Sequence, residues 1–231
     1  MIEVFFSLTG APFGKSIKTE EIFISASANE LLSRLEYMKQ QRGIMLITGE
    51  PGTGKTTILR AFTDKLSQLS YQPFYVPLST VNVLDFYKQL NYYLGGESLH
   101  FKSKLFTSIQ KAIKDFVVNT KKIPVIIFDE AHLRDRLGRS FLSSFNQRIQ
   151  LKFHLTPLQK EEVEPYINHH LTIKGCQKSP FTPQAIEAIY KNTAGIPRLI
   201  GSLAIKTLML GYLEKTQILT EEHVFKASCE L

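Results

Sequence analysis

The residues Gly49-Glu50-Pro51-Gly52-Thr53-Gly54-Lys55-Thr56 form an unbroken G-x-x-x-x-G-K-T. Each part suits a polyphosphate. The glycines let the backbone fold so that its N–H groups point inward at phosphate oxygens, and a helix opening at Lys55 adds the positive end of its dipole. The Lys55 ammonium can reach β- and γ-phosphates, and the Thr56 hydroxyl can ligate Mg²⁺, with Thr57 next in the same opening turn. The implied ligand is a nucleoside triphosphate, ATP with Mg²⁺. A second acidic feature lies downstream, where the apolar run 125–128 delivers Asp129-Glu130-Ala131-His132. A carboxylate at the carboxyl end of a parallel strand can hold a magnesium-bound water, the role expected of Asp129. Glu130 can take a proton from an attacking water. The letters D-E-A-H also name a helicase box, but no accompanying helicase motifs are present.

A third candidate is Gly195-Ile196-Pro197-Arg198. Glycine and proline set a sharp helix start, and Arg198 falls in the first turn, where a cation works against the dipole unless an anion is near. Other reactive residue types are less suggestive. His169 and His170 are adjacent on a predicted helix, point to different sides, and read as solvated rather than metal-binding. Cys176 and Cys229 have no metal-ligand spacing and read as reduced thiols of a cytosolic protein.

The elements that must position these residues follow from periodicity. Residues 1–26 read as an irregular lead-in. Ser27-Ala28-Asn29-Glu30 has capping-box form and opens a helix that Gly43 ends. Residues 44–48 read as a buried strand and 55–69 as a helix. Residues 74–78 are a second strand, and Thr80 caps a helix running to Leu94. Leu105, Phe106, Ile109, Ile113, Phe116 and Val117 mark the inward face of another helix. Residues 124–128 form a fully buried strand, and 150–155 a last one. Strands alternating with helices imply a parallel α/β sheet. From Pro157 only helices follow: 161–171, 184–192, 198–213 and 221–228. The expected organisation is an α/β nucleotide-binding core, residues 1–156, and a small all-α lid domain, residues 157–231.

The chain has 231 residues, 43% of them hydrophobic, enough for a substantial core. No apolar run is long enough for a membrane span, and the amino terminus lacks the pattern of a signal peptide. The formal charge of +7 favours an anionic partner such as nucleic acid.

The stretches FFSLTGAPFGK, LITGEPGTGKTT, PVIIFDEAHL and FTPQAIEAIYKNTAGIPRLIGSLA resemble AAA+ ATPases, and within them the IstB-, TniB- and TnsC-like transposition helpers and the related secretion ATPase ExeA. The resemblance covers nearly the whole chain. It implies a P-loop NTPase fold with a helical lid, and Arg198 as a sensor of the γ-phosphate. It implies that Pro12 and Phe13, with Ile196 and Pro197, border the adenine. It also implies homo-oligomers with ATP at subunit interfaces, completed by an arginine from the neighbour. Arg148 is the first candidate for that arginine and Arg139 the second. The expected activity is an ATPase that assembles on DNA without reading sequence and activates a transposase. Lys102, Lys104, Lys111 and Lys114 are the candidate phosphate contacts. An ExeA-like secretion ATPase and a non-catalytic nucleotide-binding remnant are the alternatives. One departure stands out. The family carries a helix and a central strand with a polar sensor residue after the acidic strand. Here no strand-like run occurs between Glu130 and Gln150, although a helix plus strand needs about 16 residues. An internal deletion is the working reading. It bears on hydrolysis and sheet assembly more than on ATP binding.

Overall fold

Strands and helices alternate as far as Leu155, and helices alone follow. The computed structural model describes residues 2–14, 17–77, 83–129 and 147–229. Chain contacts divide them into two compact units, one comprising Met1–Ala61 with Gln147–Leu231 and the other Phe62–Asn146.

In the first unit, α1 (Ile2–Phe5) and a 3₁₀ turn (Thr19–Glu21) give the lead-in more regularity than expected. Helix α2 (Ala26–Gln41) starts earlier than the Ser27 capping box would place it. Ser25 is the cap, its Oγ accepting from the Ala28 N–H at 3.1 Å. Ser27 Oγ instead accepts from the Thr156 N–H at 3.2 Å, tying the helix start to the chain beyond the last strand. The helix stops at Arg42 rather than Gly43, with Arg42 in the left-handed region at φ 52°. Strand β1 (Ile44–Gly49) runs into the glycine-rich loop, and helix α3 opens at Lys55. α3 (Lys55–Asp64) is shorter than the expected 55–69. Its buried Ile58, Ala61 and Phe62 are followed by tight turns, Lys65 N–H to Phe62 O and Leu66 N–H to Thr63 O, and from Phe62 on the chain belongs to the second unit.

Strand β4 (Ile149–Leu155) pairs with β1 in parallel, Met45 opposite Leu151 through Gly49 opposite Leu155. Then come α6 (Lys160–Thr172), α7 (Pro183–Thr193), α8 (Pro197–Leu213) and α9 (Glu221–Ser228). Their ends lie within two residues of expectation because local chemistry marks them. Thr182 Oγ1 accepts from the Ala185 N–H at 3.2 Å, and proline follows in the first turn of α7. Ile200, Leu203, Leu208, Ile189, Val163 and Ile167 are buried in one core, each worth about 1.5–3 kcal/mol of hydrophobic transfer. Phe6 and Leu8 of the lead-in belong to that same core.

The second unit holds β2 (Tyr71–Pro77), α4 (Val83–Tyr93), α5 (Lys102–Thr120) and β3 (Ile123–Asp129). β2 and β3 pair in parallel, Tyr71 opposite Ile123 through Pro77 opposite Asp129. The proposed cap Thr80 lies outside the described residues. α5 buries Leu105 and Ile109, while Phe106 and Val117, expected to face inward, are 49% and 41% exposed. The apolar stripe is wider than the face that β3 and α4 cover.

The strands therefore form two parallel ladders, β1–β4 and β2–β3. Both β1 and β3 were expected to be buried. Every residue of β1 is half-exposed, and Ile127 is the only buried residue of 123–128 in β3. Among the described residues each has a single strand neighbour, which leaves one edge of each without a ladder partner.

Candidate functional site

The loop of residues 49–56 joins β1 to α3, so a strand delivers it and a helix N-terminus closes it. Gly52 and Gly54 adopt φ of 94° and 96°, values that side chains rarely tolerate. Thr53 is buried, its Oγ1 donating to the Glu50 carbonyl at 2.9 Å. Lys55 Nζ donates to the carbonyls of Gly49 and Glu50, both at 2.9 Å, and so lies across the start of the loop. The loop turns its backbone around a lysine at the head of a helix, the arrangement a polyphosphate requires.

The lid reaches this loop through its backbone. The Arg198 N–H in the first turn of α8 donates to the Gly52 carbonyl at 3.2 Å. A methyl group at Gly52 would lie 2.9 Å from Arg198 Cβ and 3.0 Å from Ile196 Cγ2. On its other side the turn is held by the Leu158 N–H, which donates to the Gly195 carbonyl at 2.9 Å. Gly195 has φ 75°, and a Cβ there would strike the Leu158 carbonyl. Gly195-Ile196-Pro197-Arg198 is thus wedged between Leu158 and the apex of the loop. The Arg198 side chain is exposed and has no ion pair among the described residues.

The lead-in closes a third side. Pro12 is buried, and Phe13 takes φ 58° to lay its ring against α8. A Cβ at Gly201 would be 3.0 Å from Phe13 Cβ. Gly201 stands four residues after Pro197 on the same helix face. Phe13 also packs on Tyr166 and His170, with ring centroids 6.1 and 5.0 Å apart. Arg60 of α3 donates to the Ile17 carbonyl at 2.9 Å and pins the lead-in to the helix that begins in the loop.

The two histidines are not the solvated pair expected: His170 is buried and His169 half-buried, because Phe13, Glu21 and Phe23 pack on α6. His170 is buried, and that burial, with the charges of His169 and Lys174, lowers its pKa to about 4. His169 Nε2 donates to the Glu21 carbonyl at 2.7 Å. Burial also pushes the Tyr166 hydroxyl up. No cluster of three or more metal-ligating side chains occurs among the described residues.

Loop, lead-in and lid residues predicted from sequence thus gather in one unit. Arg148 belongs to the same unit but not to this site. It precedes Ile149, which pairs with Ile44 at the opposite end of β1. Five strand steps, about 17 Å, separate that end from Gly49. Asp129 ends β3 in the second unit, and Glu130 and Arg139 lie outside the described residues. Sequence reasoning missed Arg60, Leu158, Tyr166, His170 and Gly201. Only Gly201 carried a signal, as a glycine inside a helical pattern.

The AAA domain profile matches residues 38–159. General secretion pathway protein A of Aeromonas hydrophila is 24% identical over 265 positions, covering 100% of this chain and 48% of that protein. Those 265 positions exceed the 231 residues here by 34. The chain spans about half the length of the curated relatives it matches. Among solved structures, Drosophila ORC bound to DNA has a TM-score of 0.64 at 14% identity, over 99% of this chain and 65% of that one. The Thermotoga maritima RuvB Holliday junction branch migration motor has a TM-score of 0.58 at 18% identity, over 98% and 73%. No helix among the described residues is long and apolar enough to cross a membrane. Since the profile takes in more than half of the residues and the solved folds agree with it, the chain belongs to the AAA domain family.

Proposed function

We propose that the chain is an ATP-driven switch that assembles on DNA and activates a transposase. The observation that carries the switch is the seat of the lid on the loop, Arg198 N–H on the Gly52 carbonyl. Residues 157–231 act as the lid on a nucleotide-binding core of residues 1–156. In that core, the N–H groups around Gly52 and Gly54 and the Lys55 ammonium hold the phosphates. Pro12, Phe13, Ile196 and Pro197 border the base. On the family resemblance, the Thr56 hydroxyl and the Asp129 carboxylate would serve Mg²⁺, which would supply charge stabilisation to the transferring phosphoryl group. The Arg198 guanidinium swings from a fixed backbone anchor onto the γ-phosphate, so the lid reports whether ATP or ADP is present. Glu130 takes the proton of the attacking water. Arg148, too far along β1 to serve its own loop, stabilises the transition state at a neighbour's site in a homo-oligomer.

The DNA part is supported by the +7 charge and by the resemblance to transposition helpers. It is also supported by the likeness in fold to proteins described as bound to DNA or moving Holliday junctions. Steady-state ATP hydrolysis by wild type, compared with Glu130→Gln, tests the enzyme. A wild type no faster than the variant would leave a nucleotide-holding remnant, the outcome an internal deletion after Glu130 would favour. DNA affinity measured with ATP at low and moderate salt tests the partner. Absent affinity at low salt, or affinity indifferent to salt, removes DNA from the proposal. A second reading, an ATPase of a secretion pathway, is favoured by the full-chain match to General secretion pathway protein A.

A further inference from the structure

We propose that the tip of the α4–α5 hairpin binds single-stranded nucleic acid, with lysines on phosphates and exposed aromatic rings stacked on bases. The proposal rests on the DNA reading above and narrows the kind of strand this surface takes.

The tip is a built structure. Asn91 is 1% exposed, and its Nδ2 donates to the Glu97 carbonyl at 2.6 Å. The Gly96 N–H donates to the Asn91 carbonyl at 2.8 Å, and the Gly95 N–H to the Tyr92 carbonyl at 2.9 Å. These bonds fix the eight-residue connection between Tyr93 and Lys102, and with it the side chains at either end. Those side chains include three aromatics that the fold leaves in solvent: Tyr92 is 75% exposed, Phe101 66% and Tyr93 39%. A single exposed ring needs no explanation, but three at the two ends of one short connection, with the Tyr92 and Tyr93 centroids 5.7 Å apart, concentrate aromatic surface there.

The charge on the patch says what it suits. From Tyr92 to Lys114 the chain carries Lys102, Lys104, Lys111 and Lys114 with His100, against Glu97 alone. None of the four lysines makes an ion pair among the described residues. Lys104 and Lys111 stand two turns apart on one face of α5, about 10 Å along its axis, with Lys114 on the next turn. Lys104 Nζ lies 5.6 Å from the centre of the Phe101 ring, so cation and ring are interleaved. Protein interfaces concentrate aromatics but are depleted of lysine at their cores, which argues against a protein partner here. A duplex hides its base faces within the stack and offers these rings nothing to stack on. A single strand offers phosphates and open faces together.

The test is fluorescence anisotropy on the full chain with ATP and Mg²⁺. A labelled single strand of ~20 nucleotides, longer than the ~4–16 typical of such sites, is compared with the matching duplex. Phe101→Leu and Tyr92→Leu remove a ring but keep apolar bulk, and equal unfolding temperatures show that the fold is intact. The single strand should bind more tightly than the duplex. Each leucine variant should weaken single-strand binding about tenfold and leave duplex binding unchanged. Lys104→Ala with Lys111→Ala should weaken both and flatten the single-strand salt slope by about 1.4. If the lysine pair matters but the leucine variants bind single strands like wild type, the stacking surface is refuted while the DNA reading stands. A single strand bound no more tightly than the duplex has the same meaning. Binding of neither at low salt ends both. Leucine variants that change only self-association in sedimentation show a protein contact and overturn the proposal.

Discussion

Replacing Gly52 by alanine should harm the protein more than replacing Gly54, although both glycines belong to one loop and share nearly the same φ, 94° and 96°. A left-handed alanine costs about 1–2 kcal/mol at either position. At Gly54 that is the whole cost, because nothing lies within 4 Å of the added methyl. At Gly52 the methyl meets Arg198 Cβ at 2.9 Å and Ile196 Cγ2 at 3.0 Å, and the first of these belongs to a helix end that cannot rotate away. Overpacking of that kind adds about 1–3 kcal/mol. The expected losses are thus about 1–2 kcal/mol for Gly54→Ala and about 2–5 for Gly52→Ala. Equilibrium urea unfolding without nucleotide measures both and keeps lost ATP affinity out of the comparison. Adding Ile196→Ala to Gly52→Ala removes one of the two close contacts. It should return part of the loss as a coupling of about 0.5–3 kcal/mol, while Ile196→Ala with Gly54→Ala should be additive. Equal losses at the two glycines, or no coupling to Ile196, would refute the seating of the lid on the loop.

Acid should weaken the first unit through His170. Its pKa of about 4 lies below the ordinary 6.5, so on acidification the unfolded chain takes up the proton first. The stability is fully present above pH 6.5 and drains between pH 6.5 and 4, by about 2 kcal/mol at pH 5. His170→Phe should remove that loss, and an unchanged difference between urea midpoints at pH 7 and pH 5 would show the cause lies elsewhere. Lys55→Ala should abolish binding of a fluorescent ATP analogue while the protein stays folded, and retained affinity would place the phosphates elsewhere.

What the sequence displays openly is whatever local chemistry spells out. The glycine-rich loop and the Thr182 cap with Pro183 satisfy backbone groups within a few residues, and the turn at Gly195 is spelled by glycine and proline although its bonds go to Leu158 and Gly52. They fall where expected. What it conceals depends on distant partners. Ser25 and Ser27 are equally good caps by type, and only Thr156, about 130 residues on, decides which one serves the helix. His170 looks like a surface residue until Phe13 is laid over it. Phe106 belongs to an apolar stripe, but how much of a stripe is covered depends on the neighbours that pack there. The hydrophobic strands β1 and β3 read as buried because composition does not reveal how many ladder partners a strand will find.

The presence of Phe6 and Leu8 in one core with α6–α9 has a consequence during synthesis. Phe6 and Leu8 leave a ribosome about 200 residues before the parts of α8 and α9 that share their core. At ~5–20 residues per second that is a delay of roughly 10–40 s. Throughout it Phe6 and Leu8 lack most of their native packing partners. Until then the nascent chain would be open to chaperones, and to unwanted association, around Phe6 and Leu8. The first unit can close only after α8 and α9 have emerged.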